Sequence, residues 1–260
     1  MVTSMNSEAL IAAINPVERH DVTRLVVDRL QSLLEQGLLQ PGSKLPPEKE
    51  MTKLLGISRP SLRQAYKALN ILGIIRAVPG DGTYINESVS KTLAMPLTFL
   101  LLMKKIGLDE VFEFRMLLEC ELAYLSAQRR TEAEIQAIQA QLQVMERHLQ
   151  ENPALQYLAA EYEFHNCIAR AAHNNLLLEI IVIVGGLLWE TRKRLVNLVP
   201  DRQIDFEQHR RIYLAISGQD PQASAKALRD HLQSALELLK REGGGAKTNL
   251  NPEVASGIAS

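Results

Sequence analysis

Four residues in the second half of the chain have the types and spacing of a metal-binding site. Glu161 and His165 are four positions apart, so both side chains leave one face of a predicted helix. His209 and His231 each lie in the middle of a further predicted helix, among apolar residues at helical spacing. If these three helices face one another, one carboxylate and three imidazoles meet at a common point. That ligand set suits a divalent transition metal, with zinc or nickel expected.

Judged by spacing alone, these residues and two others, Arg115 and Asn175, could have purely structural roles instead. An isolated histidine on an apolar helix face is often a hydrogen-bonded core residue. Arg115 lies in an otherwise apolar helix, where its guanidinium either grips the carboxylate of a ligand or forms a buried ion pair with Glu119. Asn175 either lines a cavity or caps a helix. The residue pattern does not choose between these alternatives.

The helices that must position these residues follow one another without any strand signal after residue 92. Helical periodicity and the positions of glycine and proline predict an antiparallel bundle of six to seven helices between residues 92 and 241. The predicted segments are 92–105, 108–130, 131–151, 153–173, 176–198, 201–217 and 221–241. Thr131 and Glu134 have the spacing of a capping box. Residues 242–260 contain three consecutive glycines and predict a disordered tail.

A second arrangement, near the N-terminus, has the pattern of a DNA-binding unit. Residues 21–37 and 48–55 predict two helices, and Gly56 ends the second because glycine accepts the left-handed conformation needed there. Ser58 or Arg59 then caps a third helix that buries one side. The opposite side of that helix carries Arg59, Ser61, Arg63, Gln64 and Lys67.

The third helix suits the major groove of DNA. Residues 58–76 include four basic residues and no acidic one. Arginine donates two hydrogen bonds to guanine, and a helix N-terminus attracts phosphate. Two short predicted strands, 74–78 and 83–85, joined by a turn at 79–82, add a β-hairpin. Together these elements predict a winged helix-turn-helix with three helices and a small wing.

The order of these N-terminal residues resembles the GntR transcription regulators. The family's pattern corresponds here to Pro41-Gly42, Leu45-Pro46, Glu48-Lys49, Ser58-Arg59, Arg63 and Gly80-Asp81-Gly82. The resemblance spans residues 20–86 and implies DNA contacts from Lys49, Ser58, Arg59, Ser61, Arg63 and Gly80. Lys49 stands where the family more often has arginine. Because lysine lacks the bidentate fork, a phosphate contact is expected there in preference to a base contact.

The helical half resembles the FCD domain of the FadR-type branch of the same family. The matching residues are Phe114-Arg115, Leu118-Glu119, Glu161 with His165, Asn175, His209 and His231. In metal-binding members of that branch, an Asp-x-x-x-His pair and two later histidines hold the metal. The resemblance therefore implies a metal site at Glu161, His165, His209 and His231, although Glu161 replaces the usual aspartate. It also implies a small carboxylate or hydroxy-acid effector, for which Arg115 and Asn175 are the candidate contacts.

These observations predict a ligand-responsive transcription regulator and not an enzyme. The expected protein is mostly α-helical and binds a palindromic DNA operator as a homodimer, with repression as the default because most of the family repress. The expected plan is an N-terminal arm at 1–19, a DNA-binding domain at 20–87, a linker at 88–91 and a ligand-binding and dimerisation domain at 92–241. The alternatives are a metal-free regulator that senses an acyl thioester and a metal-dependent hydrolase.

Composition agrees with this prediction. The net charge of −1 does not fit a protein that binds nucleic acid through its whole surface, so the basic signal is local. Two cysteines, far apart in the sequence, do not fit a disulfide framework. We find neither a signal peptide nor an apolar run long enough to cross a bilayer, and we expect a cytoplasmic protein.

Overall fold

The computed structural model describes residues 22–87, 90–151, 154–189, 192–193 and 202–242. The chain divides into two compact units, with the division between residues 89 and 90. The predicted N-terminal arm lies outside the described residues, and so does the predicted tail apart from its first residue.

The first unit has three helices followed by a two-stranded antiparallel hairpin, which confirms the predicted winged helix-turn-helix. The elements are α1 (Val22–Glu35), α2 (Glu48–Leu55), α3 (Arg59–Ile71), β1 (Ile75–Val78) and β2 (Gly82–Ile85). Ile75 pairs with Ile85 at one end of the hairpin, and Val78 pairs with Gly82 at the turn. The buried core consists of Val26, Leu30, Leu45, Met51, Leu62, Ala65, Tyr66, Leu69, Ile75 and Ile85.

Local sequence fixes the turn between α2 and α3. Gly56 has φ +65° and ends α2 in the left-handed conformation, which a residue with a Cβ adopts only with strain. Ser58 is the N-cap of α3, and its hydroxyl accepts a hydrogen bond from the backbone N–H of Ser61. Pro60 follows in the first turn, where no N–H is needed. These residues set the direction in which the N-terminus of α3 points.

The second unit consists of seven helices in its described residues, in agreement with the predicted bundle. They are α4 (Ser90–Lys104), α5 (Leu108–Arg129), α6 (Glu132–Glu151), α7 (Ala154–Ala171), α8 (Asn175–Leu187), α9 (Arg202–Ser217) and α10 (Pro221–Glu242). The predicted capping box at the start of α6 is present: the backbone N–H of Thr131 donates to Glu134, and that of Glu134 donates to the Thr131 hydroxyl. Helix α4 begins two residues inside the predicted linker.

Helix α5 is central to this unit because it packs against α7, α9 and α10. Its buried side carries two charged residues, Arg115 and Glu119, besides apolar ones. The largest fully buried side chains around it include Phe112, Leu122, Tyr157, Phe164 and Ile212. The three helices that were predicted to supply metal ligands therefore share one packing partner.

Helix α8, which covers the first part of the apolar segment predicted at 176–198, is exposed at its start and buried further along. Helix α8 contacts α4, α5 and α7. Leu176, in its first turn, is 72% exposed, whereas Val184 is buried. Part of the predicted segment lies outside the described residues. No helix in the described portion of the chain has both the length and the apolar character that a membrane span requires.

Candidate functional site

The four predicted metal ligands converge in the second unit. Glu161 and His165 come from α7, His209 from α9 and His231 from α10, and one potential ligand atom from each lies within 4.8 Å of those from the others. His165, His209 and His231 are 9%, 0% and 5% exposed, respectively. A cluster of this kind is a core feature and not a chance grouping of surface side chains.

Two of the three imidazoles, those of His209 and His231, make a hydrogen bond from Nδ1, which leaves their Nε2 atoms without a proton. His209 donates from Nδ1 to the carbonyl oxygen of Asp205, one turn earlier, over 2.8 Å. His231 donates from Nδ1 to Oε1 of Gln208 over 3.1 Å. These bonds select the tautomer with the lone pair on Nε2, as is usual for histidines that bind metals.

The Nε2 atoms of His165 and His209 are buried and have no hydrogen-bond partner. Such atoms are rare in native proteins, because a buried polar atom without a partner loses its hydration and gains nothing in return. Burial lowers the pKa of His165 and of His231 well below the usual value, and nearby arginines lower the pKa of both further. Both rings are therefore neutral at physiological pH, the form in which imidazole binds a metal.

Glu161 contributes the carboxylate of the cluster and is held by a residue that sequence reasoning missed. Its Oε1 accepts a hydrogen bond from Nη1 of Arg192 over 2.6 Å and lies 3.8 Å from Nε2 of His165. Burial raises the pKa of Glu161, while Arg192 acts in the opposite direction. The longer side chain of glutamate thus reaches the histidines in place of the usual aspartate.

The donor set fits a divalent transition metal. Three imidazoles and one carboxylate suit zinc or nickel, and one potential ligand atom of each lies within 4.8 Å of those of the others. The residues that would hold the ion are Glu161, His165, His209 and His231. A bound ion would supply positive charge and coordination positions for a small anion.

A small cavity of about 10 Å3, enough for about one water molecule, lies beside His165. Its polar lining comes from Glu119, Tyr162, Asn166 and Arg192 as well as His165. Gly185 on α8 also lines it, and a Cβ at this position would lie 2.8 Å from Cε2 of Tyr162. The close approach of α8 to the Tyr162 ring therefore requires glycine.

The sequence does contain a signal that Arg192 is buried at the site, namely its position relative to Leu188. It follows that buried leucine by four residues in a predicted helix, so both side chains belong to one face. Its backbone N–H donates to the carbonyl of Leu188, and the side chain is only 6% exposed. An arginine on the apolar face of a helix is a signal for a buried ionic partner.

The two predicted effector contacts have different surroundings. Arg115 donates from Nε to Oε1 of Glu119 over 2.6 Å, so the ion pair that was one of its two alternatives is present, with both side chains buried. Asn175 is the first residue of α8 and is exposed, whereas the preceding Asn174 caps the helix by accepting from the Leu177 N–H. A contact of either residue with an effector stays a prediction.

The predicted DNA contacts lie on the surface of the first unit. Five of them are exposed and one, Ser61, is half-buried; the exposed ones are Lys49, Ser58, Arg59, Arg63 and Gly80. Arg63 extends from α3 with 71% of its side chain exposed and contacts Glu48 of α2 over 3.0 Å. Ser58 and Ser61 share a hydrogen bond between their hydroxyls. The N-terminal turns of α3 therefore present short polar groups and arginines on one side.

The wing carries further cations that sequence reasoning missed. Lys44 donates to Asp81 in the turn, and both Lys44 and Arg76 lie over the ring of Tyr84. Gly80, at the tip, has φ +78°, a conformation that favours glycine. These contacts fix the hairpin and keep positive charge at its surface.

Comparison with known proteins assigns both units. The model of the gntR family of bacterial regulatory proteins matches residues 23–85, and the FCD domain model matches residues 110–234. The transcriptional regulator LutR of Bacillus subtilis (strain 168) is 31% identical over 80% of this chain and 96% of its own length. The chain belongs to the GntR family.

Other relatives agree with this assignment. A protein of Escherichia coli (strain K12) named for regulation of the L-lactate dehydrogenase operon is 29% identical over 83% of this chain and 85% of its own. The structure of a GntR protein from Streptococcus agalactiae matches with a TM-score of 0.66 and 26% identity, over 83% of this chain and 99% of that one. Each unit is covered by one family match. The gntR match spans α1 to β2, and the FCD match contains all four candidate metal ligands.

The chain is thus a GntR transcriptional regulator of the FadR-type branch, with an FCD effector domain. The matched domains and relatives are regulators of transcription and not enzymes, so the hydrolase alternative finds no support in them.

Proposed function

We propose that this chain is a metal-dependent repressor that binds a palindromic operator as a homodimer and releases it when a small carboxylate or hydroxy acid binds. The observation that carries this proposal is the convergence of three histidines and one glutamate inside an FCD domain, with the buried Nε2 atoms of His165 and His209 lacking any hydrogen-bond partner. A metal at these residues, zinc or nickel, would anchor a carboxylate beside the cavity that Arg192 lines.

DNA recognition is assigned to the first unit. Helix α3 would enter the major groove with Arg59 and Arg63, while Ser58 and Ser61 at its N-terminus and Lys49 on α2 contact phosphates. The wing, with Gly80 at its tip, would approach the adjacent backbone. Two such units, one from each copy, would bind the two halves of a palindrome, which requires a fixed spacing between the recognition helices.

The regulatory step follows from that spacing requirement. An effector that changes the relative placement of two recognition helices lowers affinity for the operator without touching DNA itself. The name of the E. coli relative, which refers to L-lactate dehydrogenase, makes L-lactate the first compound to test. The family resemblance also makes Arg115 and the exposed Asn175 candidate contacts for the effector.

The test combines metal analysis with DNA selection. We expect protein purified without chelator to contain about one divalent ion per chain, and random-sequence selection to return a palindrome. Addition of L-lactate or another small hydroxy acid to the metal-loaded protein is expected to release that DNA. Protein that stays free of metal after supplementation with zinc and with nickel would overturn the proposal.

One observation favours a second candidate, a regulator that senses an acyl thioester without metal. A cavity of about 270 Å3, partly open to solvent, lies between α4, α5 and α8, and eight of its nine lining residues are apolar. Leu97, Leu101 and Phe114 belong to this lining, which suits an acyl chain. Release of DNA by an acyl thioester, together with metal-free protein, would favour this candidate.

A further inference from the structure

Glu48 and Arg63 form an ion pair that joins the two helices of the helix-turn-helix. Nε of Arg63, in the second turn of α3, donates to Oε2 of Glu48, the first residue of α2, over 3.0 Å. The side chains of Arg63 and Glu48 are 71% and 39% exposed, respectively. Because an ion pair at the surface contributes little to stability, the effect of this one lies mainly in where it holds the guanidinium.

Buried neighbours fix the position of the Glu48 carboxylate relative to α3. Met51 of α2 and Leu62 of α3 belong to the same core, so the two helices pack in one arrangement. Tyr66 lies three residues after Arg63, on the same side of α3. Burial and, second to it, the negative charge of Glu48 raise the pKa of Tyr66 to about 12. Glu48 therefore lies close to the side of α3 that carries Arg63 and Tyr66.

The ion pair uses one edge of the guanidinium and leaves the other edge for a ligand. In the described part of the chain, the hydrogen bond of Arg63 starts from Nε, and the N–H groups of Nη1 and Nη2 point to no protein acceptor. Guanine presents O6 and N7 in the major groove, where they accept two hydrogen bonds from one arginine. An arginine that rotates freely also reaches phosphates, which carry no sequence information.

We propose that Glu48 is a positioning residue, which holds Arg63 through Nε so that Nη1 and Nη2 meet a guanine and not a phosphate. The same carboxylate repels the phosphates of any DNA, whatever its sequence. Glu48 is therefore expected to raise sequence discrimination while it lowers nonspecific affinity. This inference rests on the proposed function, since it requires α3 to lie in the major groove.

The test measures the affinity of the full chain for two duplexes by fluorescence anisotropy. One is the palindrome returned by selection, and the other is a scrambled duplex of the same length and base composition. We expect Glu48→Ala to lower the ratio of the two affinities on the order of fivefold, because a freely rotating Arg63 divides its contacts between guanine and phosphate. The scrambled duplex should be bound at least as tightly as by wild type, because a negative charge is gone.

Glu50→Ala is the matched control, because it removes the same charge from an exposed position on the same helix. Its affinity ratio should equal that of wild type. Arg63→Ala should lower the ratio by more than Glu48→Ala does, and combining the two substitutions should lower it no further, since the group that Glu48 holds is absent. If Glu48→Ala melts below the assay temperature, Glu48→Gln keeps the size of the side chain with a weaker acceptor, and both changes should appear at smaller size.

Two results for Glu48→Ala would overturn the inference. A ratio equal to that of wild type, while Arg63→Ala loses discrimination, would show that Arg63 reaches guanine without Glu48. Equal weakening on both duplexes, together with a lower Tm, would show that Glu48 acts only as an acidic residue at the N-terminus of α2. An unchanged ratio in Arg63→Ala itself instead refutes the role of α3 as the recognition helix, and with it the DNA-binding part of the proposed function.

Discussion

Oε2 of Glu119 lies 3.4 Å from Nδ1 of His165, across the imidazole ring from the Nε2 atom that faces the other ligands. Glu119 is on α5 and His165 on α7, so this contact links the central helix to the candidate metal centre. Oε2 makes no hydrogen bond at this distance, but its negative charge beside Nδ1 favours the tautomer with the proton on Nδ1 and the lone pair on Nε2. The other oxygen of Glu119 accepts from Arg115, which fixes the carboxylate in turn.

Replacing Glu119 by glutamine is expected to weaken metal binding by about 10- to 100-fold. The glutamine carbonyl can still accept from Arg115, so its amide N–H2 faces His165 and favours the wrong tautomer. Titration with zinc, followed by calorimetry, measures the change. Glu121→Gln, at an exposed position two residues along the same helix, is the control. Equal zinc affinity in both variants would show that Glu119 does not orient His165.

Substitution of His209 by alanine is expected to abolish stoichiometric metal binding. His209 is fully buried, and its inward Nε2 has no other partner. Because a ligand that binds only the folded protein stabilises it, zinc should raise the Tm of wild type but not of His209→Ala. Removal of metal with a chelator should reverse the rise. His173→Ala serves as control, since His173 is exposed and paired with Glu134, and it should respond to zinc like wild type.

Arg63→Ala is expected to weaken operator binding and relax sequence preference. A bidentate contact from arginine to a base contributes about 1–3 kcal/mol of discrimination. Fluorescence anisotropy with the selected palindrome and with variants at each base measures both effects. Arg29→Ala, at an exposed position on α1, is the control. Unchanged affinity and unchanged preference for Arg63→Ala would show that α3 is not the recognition helix.

The buried thiol of Cys120 is expected to make stability fall at alkaline pH. Burial raises its pKa from 9.0 to about 11, with smaller effects from nearby charges. An acid whose folded pKa is raised contributes stability that is complete below pH 9 and is lost as pH rises through about 11. The loss amounts to at most about 3 kcal/mol for two pKa units.

Urea denaturation of wild type and Cys120→Ala between pH 8 and pH 11 isolates this contribution, because all other alkaline groups are common to both. The difference in unfolding free energy between the two proteins should shrink as pH rises. A constant difference across this range would show that the thiol titrates normally and is reached by solvent.

Several features were predictable from the sequence because they depend on neighbours along the chain. The four-residue spacing of Glu161 and His165 places them on one helix face whatever the rest of the fold does. Gly56 and the capping serine at 58 define the turn between α2 and α3 by local backbone chemistry. Local strand and turn signals likewise predicted the wing, and the family pattern joined His209 and His231 to Glu161 and His165 in one predicted metal site.

The tertiary structure decided which partners each side chain of the centre has. Arg192 pairs with Glu161 across 31 residues, and Glu119 faces His165 across the interface of α5 and α7. Such pairs depend on how helices pack and on which rotamers the packing allows, and neither quantity is encoded in the spacing of residues on one helix. The sequence alone therefore determined the ligand types and the helices that carry them. Packing determined which nitrogen of each imidazole points inward and which cation holds the carboxylate.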